Sequence, residues 1–194
     1  MIGGPSGAGK TTLCRGLQNY FPDRTAIVKF PIWNGYLSFV EDPRSHAFRN
    51  QLAAMRTVAG AIQAGYVGCP GNNLLLADSD PVRVHLVHSW LLWQDKLITD
   101  VEWDQLCIQF ERYTIIPTKF IILRAPLNVL RERIIERSRP EDTVRVLESL
   151  ERVDERWRHL ATDSSWSGSS HVTVLDADAP ADDLCNRAAE LILQ

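Results

Sequence analysis

The chain has 194 residues, of which 45% are hydrophobic, and a formal net charge of −3. This length suits one domain, residues 1–194. The slightly negative net charge argues against a nucleic-acid-binding protein, since these proteins typically have an excess of basic residues. The four cysteines form no C-x-x-C pair, and no apolar run reaches the ~18 residues of a membrane span, which argues against a disulfide framework, a zinc site and a membrane protein. With no signal peptide at the amino end, the sequence predicts a cytoplasmic protein.

Continuous apolar segments alternate with amphipathic segments along the chain. The first apolar segment is only Met1–Ile2, whereas a strand normally has about five residues, so either this strand is very short or the natural start lies upstream. Other continuous apolar runs predict strands at residues 25–30, 73–78, 119–125 and 171–177. Helical spacing predicts helices at residues 11–21, 43–65, 82–93, 100–113, 126–138, 142–160 and 180–194. This alternation is typical of an α/β fold with a central parallel sheet, here of about five strands, flanked by helices.

The segment GGPSGAGKTT, residues 3–12, lies between the first strand and the first helix. It satisfies the P-loop pattern G-x-x-x-x-G-K-[ST] without a mismatch. In such a loop, backbone N–H groups converge on phosphate oxygens, the lysine contacts the β- and γ-phosphates, and the hydroxyl binds Mg²⁺. The sequence therefore predicts a P-loop NTPase fold with ATP and Mg²⁺ as ligands, and Thr11 on the metal. The residues predicted to bind the nucleotide are Gly4, Ser6, Gly7, Ala8, Gly9, Lys10, Thr11 and Thr12.

Switches, motors and kinases all use phosphate loops. The sequence has no guanine-reading N-K-x-D motif, and motor ATPases are usually larger, so we expect a small-molecule kinase. Asp78 ends the third predicted strand, where a carboxylate can support Mg²⁺ or accept the proton of the attacking hydroxyl. Asp80 lies two residues further on and is an alternative for either role. Asp78 is therefore predicted as a catalytic and a metal-site residue.

Arginines cluster where a later helix is interrupted. Arg133 and Arg137 are four residues apart and share a helix face, and Arg139 follows directly before Pro140. Planar guanidinium groups stabilise the charge that develops on a transferring phosphoryl group. These three arginines are predicted to be catalytic together with Lys10, in a short lid at about residues 133–143.

The run FIILRAPLNVLRERIIERSRPEDTVRVLESLERVDERW, residues 120–157, resembles the deoxynucleoside kinase family. Within it, residues 137–142 are similar to the family's R-x-R-x-E-E lid, with Asp142 in place of the second Glu. Residues 172–184 resemble the family's last strand and adenine-side loop, and the thymidylate kinases share this architecture. The resemblance implies a P-loop kinase that uses ATP and a small, nucleoside-like acceptor.

The departures from the family lie on the acceptor side. The family usually has Glu-Pro after the second strand, with the Glu as general base, but Phe30 precedes Pro31 here. The family's acidic-Arg-Ser triplet reads Asp78–Asp80 here, so its arginine is absent unless Arg83 substitutes. The family's base-reading glutamine has no clear match, and the helix that would carry it offers several polar side chains. These are Arg49, Asn50, Gln51 and Arg56.

Three functions fit this pattern. The first is ATP-dependent phosphoryl transfer to a nucleoside-like hydroxyl. The second is a thymidylate-like nucleoside monophosphate kinase, in which Arg49 or Arg56 would clamp the acceptor phosphate. The third is a nucleotide-binding regulatory protein without turnover, which the missing family residues suggest and the arginine-rich lid argues against. Apolar helices at residues 55–65 and 86–93 also suggest a homodimer.

Overall fold

A computed structural model describes residues 1–28, 41–69, 74–78, 81–113, 117–137, 144–167 and 171–194. Several predictions concern residues outside these ranges. They are those for Phe30, Pro31, Ser79, Asp80 and the lid residues 138–143, which include Arg139.

The described strands pair only in parallel, as the continuous apolar runs predict. They are β1 (Ile2–Gly3), β2 (Thr25–Val28), β3 (Leu74–Ala77), β4 (Lys119–Arg124) and β5 (His171–Asp176). The main sheet has the order β1-β4-β5, and β2 pairs with β3 in a two-stranded sheet. The prediction of one sheet of about five strands was therefore wrong, since the main sheet has three. With only two residues, which pair with Ile121 and Ile122, β1 offers too little backbone for a second ladder toward β3.

Helices separate these strands near the predicted positions. They are α1 (Lys10–Tyr20), α2 (Pro43–Val67), α3 (Trp90–Gln94), α4 (Asp100–Tyr113), α5 (Leu127–Arg137), α6 (Val144–Thr162) and α7 (Ala181–Leu193). The helix predicted at residues 82–93 is a π-helix over Arg83–Ser89 that continues into α3. A 3₁₀ turn, Ser164–Ser167, follows α6. Among the described helices, none combines the length and the apolar character that crossing a membrane requires.

The sequence of α2 explains where this helix begins. The Asp42 carboxylate accepts a hydrogen bond from the Ser45 backbone N–H at 3.1 Å, and Pro43 occupies the first turn. Both are typical of helix starts, because the cap satisfies a backbone donor and proline has none to satisfy.

Successive side chains of β4 point to opposite faces of the main sheet and enter different parts of the core. Ile121 and Leu123 pack with buried residues of α1 and α7. Phe120 and Ile122 pack instead with Trp157 of α6, which is fully buried. Helices thus cover both faces, and the carboxyl end of β4 is free to meet the P-loop.

Candidate active site

The P-loop is pressed against β4 and α5 at two glycines. Gly4 has a φ of 134°, and a β-carbon there would collide with the carbonyl oxygen of Leu123. Gly7 has a φ of 81°, and a β-carbon would lie 2.7 Å from the carbonyl oxygen of Leu130 in α5. Only glycine combines these backbone angles with such close approach. The loop therefore lies directly beside the helix that carries Arg133 and Arg137.

The side chain of Lys10 is held within the loop. Its Nζ donates to the carbonyl oxygen of Gly4 at 2.9 Å and to that of Pro5 at 2.8 Å. The residue is only 9% exposed. The ammonium group is thus held at the mouth of the loop, where it can attract phosphate oxygens.

Thr11 and Asp78 meet although they come from different parts of the chain. The Thr11 hydroxyl donates to Asp78 Oδ2 at 2.5 Å. Thr11 lies in the first turn of α1, and Asp78 directly follows β3. The structure therefore brings together the two residues that the sequence predicts at the metal site. Both offer oxygen atoms, which are the ligands that Mg²⁺ prefers.

Arg133 reaches from α5 to the loop that follows β5. Its Nη1 donates to the carbonyl oxygen of Ala177 at 2.8 Å, and its Nη2 lies 3.6 Å from Asp178 Oδ1. The resemblance above identifies this loop as the adenine-side loop. Arg137 lies one turn further, exposed at the end of α5. These contacts direct Arg133 to the loop after β5, and its catalytic role stays a prediction.

Of the polar residues considered on α2, those that face inward are the uncharged ones. Asn50 is buried and Gln51 is half-buried, whereas Arg49 and Arg56 are exposed. Gln51 Oε1 lies 3.2 Å from the hydroxyl of Ser89 at the end of the π-helix. The structure therefore directs the amide of Gln51, and neither arginine, toward the helix that follows Asp78.

The π-helix was not predicted, since no sequence pattern distinguishes it from an α-helix. His85 lies within it, 1% exposed, stacked 4.7 Å from Trp103 and 4.9 Å from Phe110 between ring centroids. Burial first, and the charge of Arg156 second, lower the pKa of His85 to about 4. Among the described residues, no group of three or more His, Cys, Asp or Glu side chains could hold a metal ion.

The P-loop lies between a parallel strand and a helix. It has a buried lysine, and a threonine at the start of the helix is bonded to an aspartate at the end of another strand. These features define a P-loop nucleotide-binding protein. The family model described as deoxynucleoside kinase matches residues 1–192. The chain therefore belongs to the deoxynucleoside kinase family and is a nucleotide-dependent kinase that acts on a nucleoside. No curated protein sequence matches it.

Solved structures with the same fold include deoxyadenosine kinase from M. mycoides. The form with bound dATP has a TM-score of 0.81 and 14% identity, covering 100% of this chain and 98% of that chain. The form with the products dCMP and a flexible dCDP has a TM-score of 0.82 and 14% identity, covering 99% and 97%. The form with dCTP has a TM-score of 0.78 and 15% identity, again covering 99% and 97%. At this identity the similarity shows the fold.

Proposed function

We propose that this kinase transfers the γ-phosphoryl group of ATP to a hydroxyl of a deoxynucleoside, with Mg²⁺ as the metal ion. The hydrogen bond between Thr11 and Asp78 carries the proposal, because it joins the P-loop hydroxyl to a carboxylate at the edge of the sheet. The M. mycoides enzyme binds dATP and dCTP and has dCMP as a product. This supports a deoxynucleoside as the class of acceptor.

On the donor side, Lys10 and the loop amides hold the β- and γ-phosphates of ATP. The oxygen atoms of Thr11 and Asp78 fit Mg²⁺, which when bound neutralises charge on the phosphate oxygens. Arg133 holds the nucleotide at the loop after β5, because its guanidinium group is already bonded to Ala177 there.

In the transfer step, the acceptor hydroxyl oxygen forms a bond to the γ-phosphorus while the bond to the β,γ-bridging oxygen breaks and ADP leaves. The hydroxyl proton passes to the Asp78 carboxylate, since Phe30 occupies the position of the family's basic Glu. Arg137 and Arg139, on the predicted lid, compensate the charge on the transferring group. Closure of the lid over the site would also keep water from accepting the phosphoryl group.

On the acceptor side, Gln51 is proposed to contact the nucleoside base. A hydroxyl has one hydrogen, and Ser89 Oγ lies 3.0 Å from the Val84 carbonyl oxygen as well as 3.2 Å from the Gln51 amide. When the Ser89 hydroxyl donates to Gln51 Oε1, the amide nitrogen of Gln51 is left to donate to the base.

The thymidylate-like alternative is less well supported, because the two arginines proposed to clamp an acceptor phosphate, Arg49 and Arg56, are exposed. The regulatory alternative does not fit membership of a kinase family.

Four expectations stay predictions. They are a homodimer, a cytoplasmic location, the lack of nucleic-acid and membrane partners, and a single domain with its lid. The basis for the dimer is weaker than the sequence suggested. Met55, Ile62 and Val87, from the helices predicted to form a dimer face, are buried within the chain itself.

ADP release tests the proposal across a panel of deoxynucleosides, ribonucleosides and nucleoside monophosphates, with and without Mg²⁺. We expect turnover that depends on Mg²⁺ and is stimulated most by a deoxynucleoside. Stimulation by monophosphates alone would favour the thymidylate-like function. Mg·ATP binding without turnover on any acceptor would contradict the proposal.

A further inference from the structure

A cavity of about 610 Å³ lies at the carboxyl ends of β4 and β5. Residues of β4, β5, α5, α6 and α7 line it, and they include three arginines, Arg124, Arg158 and Arg187. Of its described lining residues, none belongs to the P-loop, and neither Arg133 nor Ala177 is among them. The cavity therefore lies beside the proposed ATP site without sharing these residues with it, and its volume is typical of small-molecule sites.

A buried carboxylate lies between two of these arginines. Asp154 of α6 is only 1% exposed, and its Oδ2 accepts a hydrogen bond from Arg158 Nη2 at 2.7 Å. Its Oδ1 lies 3.6 Å from Arg124 Nε, which is too far for a hydrogen bond. Both of these atoms are buried, and within the described ranges neither has a hydrogen-bond partner. Because buried polar groups are nearly always hydrogen-bonded, the two atoms indicate a polar ligand in the cavity.

The charges of the lining favour an anion as this ligand. Three guanidinium groups face two carboxylates, those of Asp154 and Asp176. Asp176 Oδ1 accepts a hydrogen bond from the Asp178 backbone N–H at 2.9 Å, so this carboxylate is directed to its own loop. Arg187 forms no ion pair within the described part of the chain. A guanidinium has five N–H donors, so the bond to Asp154 leaves most donors of Arg158 for a ligand.

The first turn of α5 adds positive potential at the same place. Pro126 and Leu127, where this helix begins, line the cavity. The N–H groups of a first turn have no acceptor within the helix, and they form the positive end of the helix dipole. The first turn of α5 has no acidic side chain that would compensate this potential. A phosphate group can accept hydrogen bonds from such N–H groups and from guanidinium groups together.

We propose that this cavity is a second anion site, which binds a phosphate-bearing small molecule other than the donor ATP. The guanidinium groups of Arg158 and Arg187 pair with the phosphate oxygens, and Arg124 donates from deeper in the cavity. Asp154 fixes the direction of Arg158 through their hydrogen bond. A volume of about 610 Å³ leaves room for an organic group beside the phosphate.

The experiment titrates the full chain with inorganic phosphate and, separately, with ribose 5-phosphate, and phosphorus NMR measures the Kd. A non-hydrolysable Mg·ATP analogue is present at saturation, so that the probes do not enter the P-loop. We expect Arg158→Gln and Arg187→Gln each to raise the Kd by about tenfold or more, because each removes charge-assisted hydrogen bonds. Arg131→Gln makes the same charge change at an exposed position of α5 outside the cavity. This control should change the Kd by less than about twofold at physiological salt.

The two probes also distinguish the source of the phosphate group. Tighter binding of ribose 5-phosphate would identify an organic phosphate as the ligand, and tighter binding of inorganic phosphate would identify the free ion. Arg187→Gln leaves the bond between Arg158 and Asp154 intact, so weaker binding in this variant would not reflect altered packing of α6. Failure of both probes to bind, or the same Kd in wild type and in both cavity variants, would overturn the second anion site. Absence of nucleoside turnover in the wild type would instead overturn the proposed function.

Discussion

The hydrogen bond between Thr11 and Asp78 joins residues that lie 67 positions apart in the chain. Each sits at the end of a regular element, Thr11 at the start of α1 and Asp78 at the end of β3. Parallel strands deliver such ends to one edge of a fold, where ligands of open α/β proteins bind. In the proposed mechanism this one carboxylate serves both the metal ion and the acceptor hydroxyl.

The substitution Asp78→Asn separates these two roles. The amide oxygen still accepts the bond from Thr11, but the charge and the ability to take a proton are lost. If Asp78 is the proton acceptor, kcat should fall by about 10²-fold or more while Mg·ATP binding, measured by calorimetry, stays within a few-fold. A large loss of Mg·ATP affinity would show instead that Asp78 mainly supports the metal. Asp104→Asn, at an exposed site on α4, is the control.

The substitution Gly4→Ala tests the fit of the P-loop against β4. The φ of 134° and the Leu123 carbonyl oxygen leave no room for a β-carbon, so we expect the free energy of unfolding to fall by about 1–3 kcal/mol and ATP affinity to be lost. Gly60→Ala is the matched control, since a β-carbon at this position in α2 would meet nothing within 4 Å. This control should raise stability by about 0.5–1 kcal/mol, because alanine favours a helix. Equal effects of the two substitutions in chemical denaturation would contradict the packing described here.

Among the elements, α6 has the widest structural role, because it covers the main sheet and also holds the helix after β3. Arg152 and Arg156 lie one turn apart on α6 and differ in their surroundings. Arg152 forms a bidentate pair with Asp95 at 2.7 and 3.0 Å, and both side chains are more than 40% exposed. Arg156 is half-buried, and its guanidinium lies 4.4 Å from the centroid of the Trp90 ring.

These two arginines should therefore contribute differently to stability. Arg156 Nε donates to the carbonyl oxygen of Leu86 in the π-helix at 2.8 Å. Arg156→Ala removes this bond and the contact with Trp90, so we expect a loss of about 1–3 kcal/mol in the free energy of unfolding. Arg152→Ala removes an exposed ion pair and should cost less than about 1 kcal/mol. Urea denaturation of both variants measures the difference. A larger loss of stability in Arg152→Ala than in Arg156→Ala would show that the contacts of Arg156 with the π-helix and Trp90 contribute little to stability.

At the scale of the whole molecule, burial of the two histidines of the π-helix makes the stability of the fold depend on pH. The pKa of His85 is lowered to about 4 and that of His88 to about 3, from an ordinary value of 6.5. Between pH 6.5 and the lowered pKa of each histidine, the unfolded chain binds a proton at that residue and the folded chain does not. The free energy of unfolding is therefore highest above about pH 6.5 and falls as the pH is lowered toward 4 and then 3.

His85→Phe tests this linkage, because the ring stack with Trp103 and Phe110 can persist without a titrating group. The contribution of His85 amounts to up to about 3 kcal/mol across this range. We expect the variant to lose less stability than wild type between pH 6.5 and 4.5 in urea denaturation. Identical pH dependence in the two proteins would show that His85 is not the group responsible.

The sequence alone determined the order of helices and strands, the parallel pairing and the P-loop, because these depend on local periodicity and on one contiguous motif. It also predicted Asp78 at a strand end. Other features needed the tertiary structure. The division of the strands into two sheets depends on the length of β1. The direction of Arg133 toward Ala177 depends on how α5 packs beside β5.

The acceptor side shows most clearly what the sequence could not predict. From the sequence, Arg49, Gln51 and Arg83 are equally polar residues on helices. Packing decides between them. It buries one side of α2, and side chains of α2 and α6 contact the π-helix Arg83–Ser89. Such long-range contacts leave no periodic signal in the residues whose direction they set.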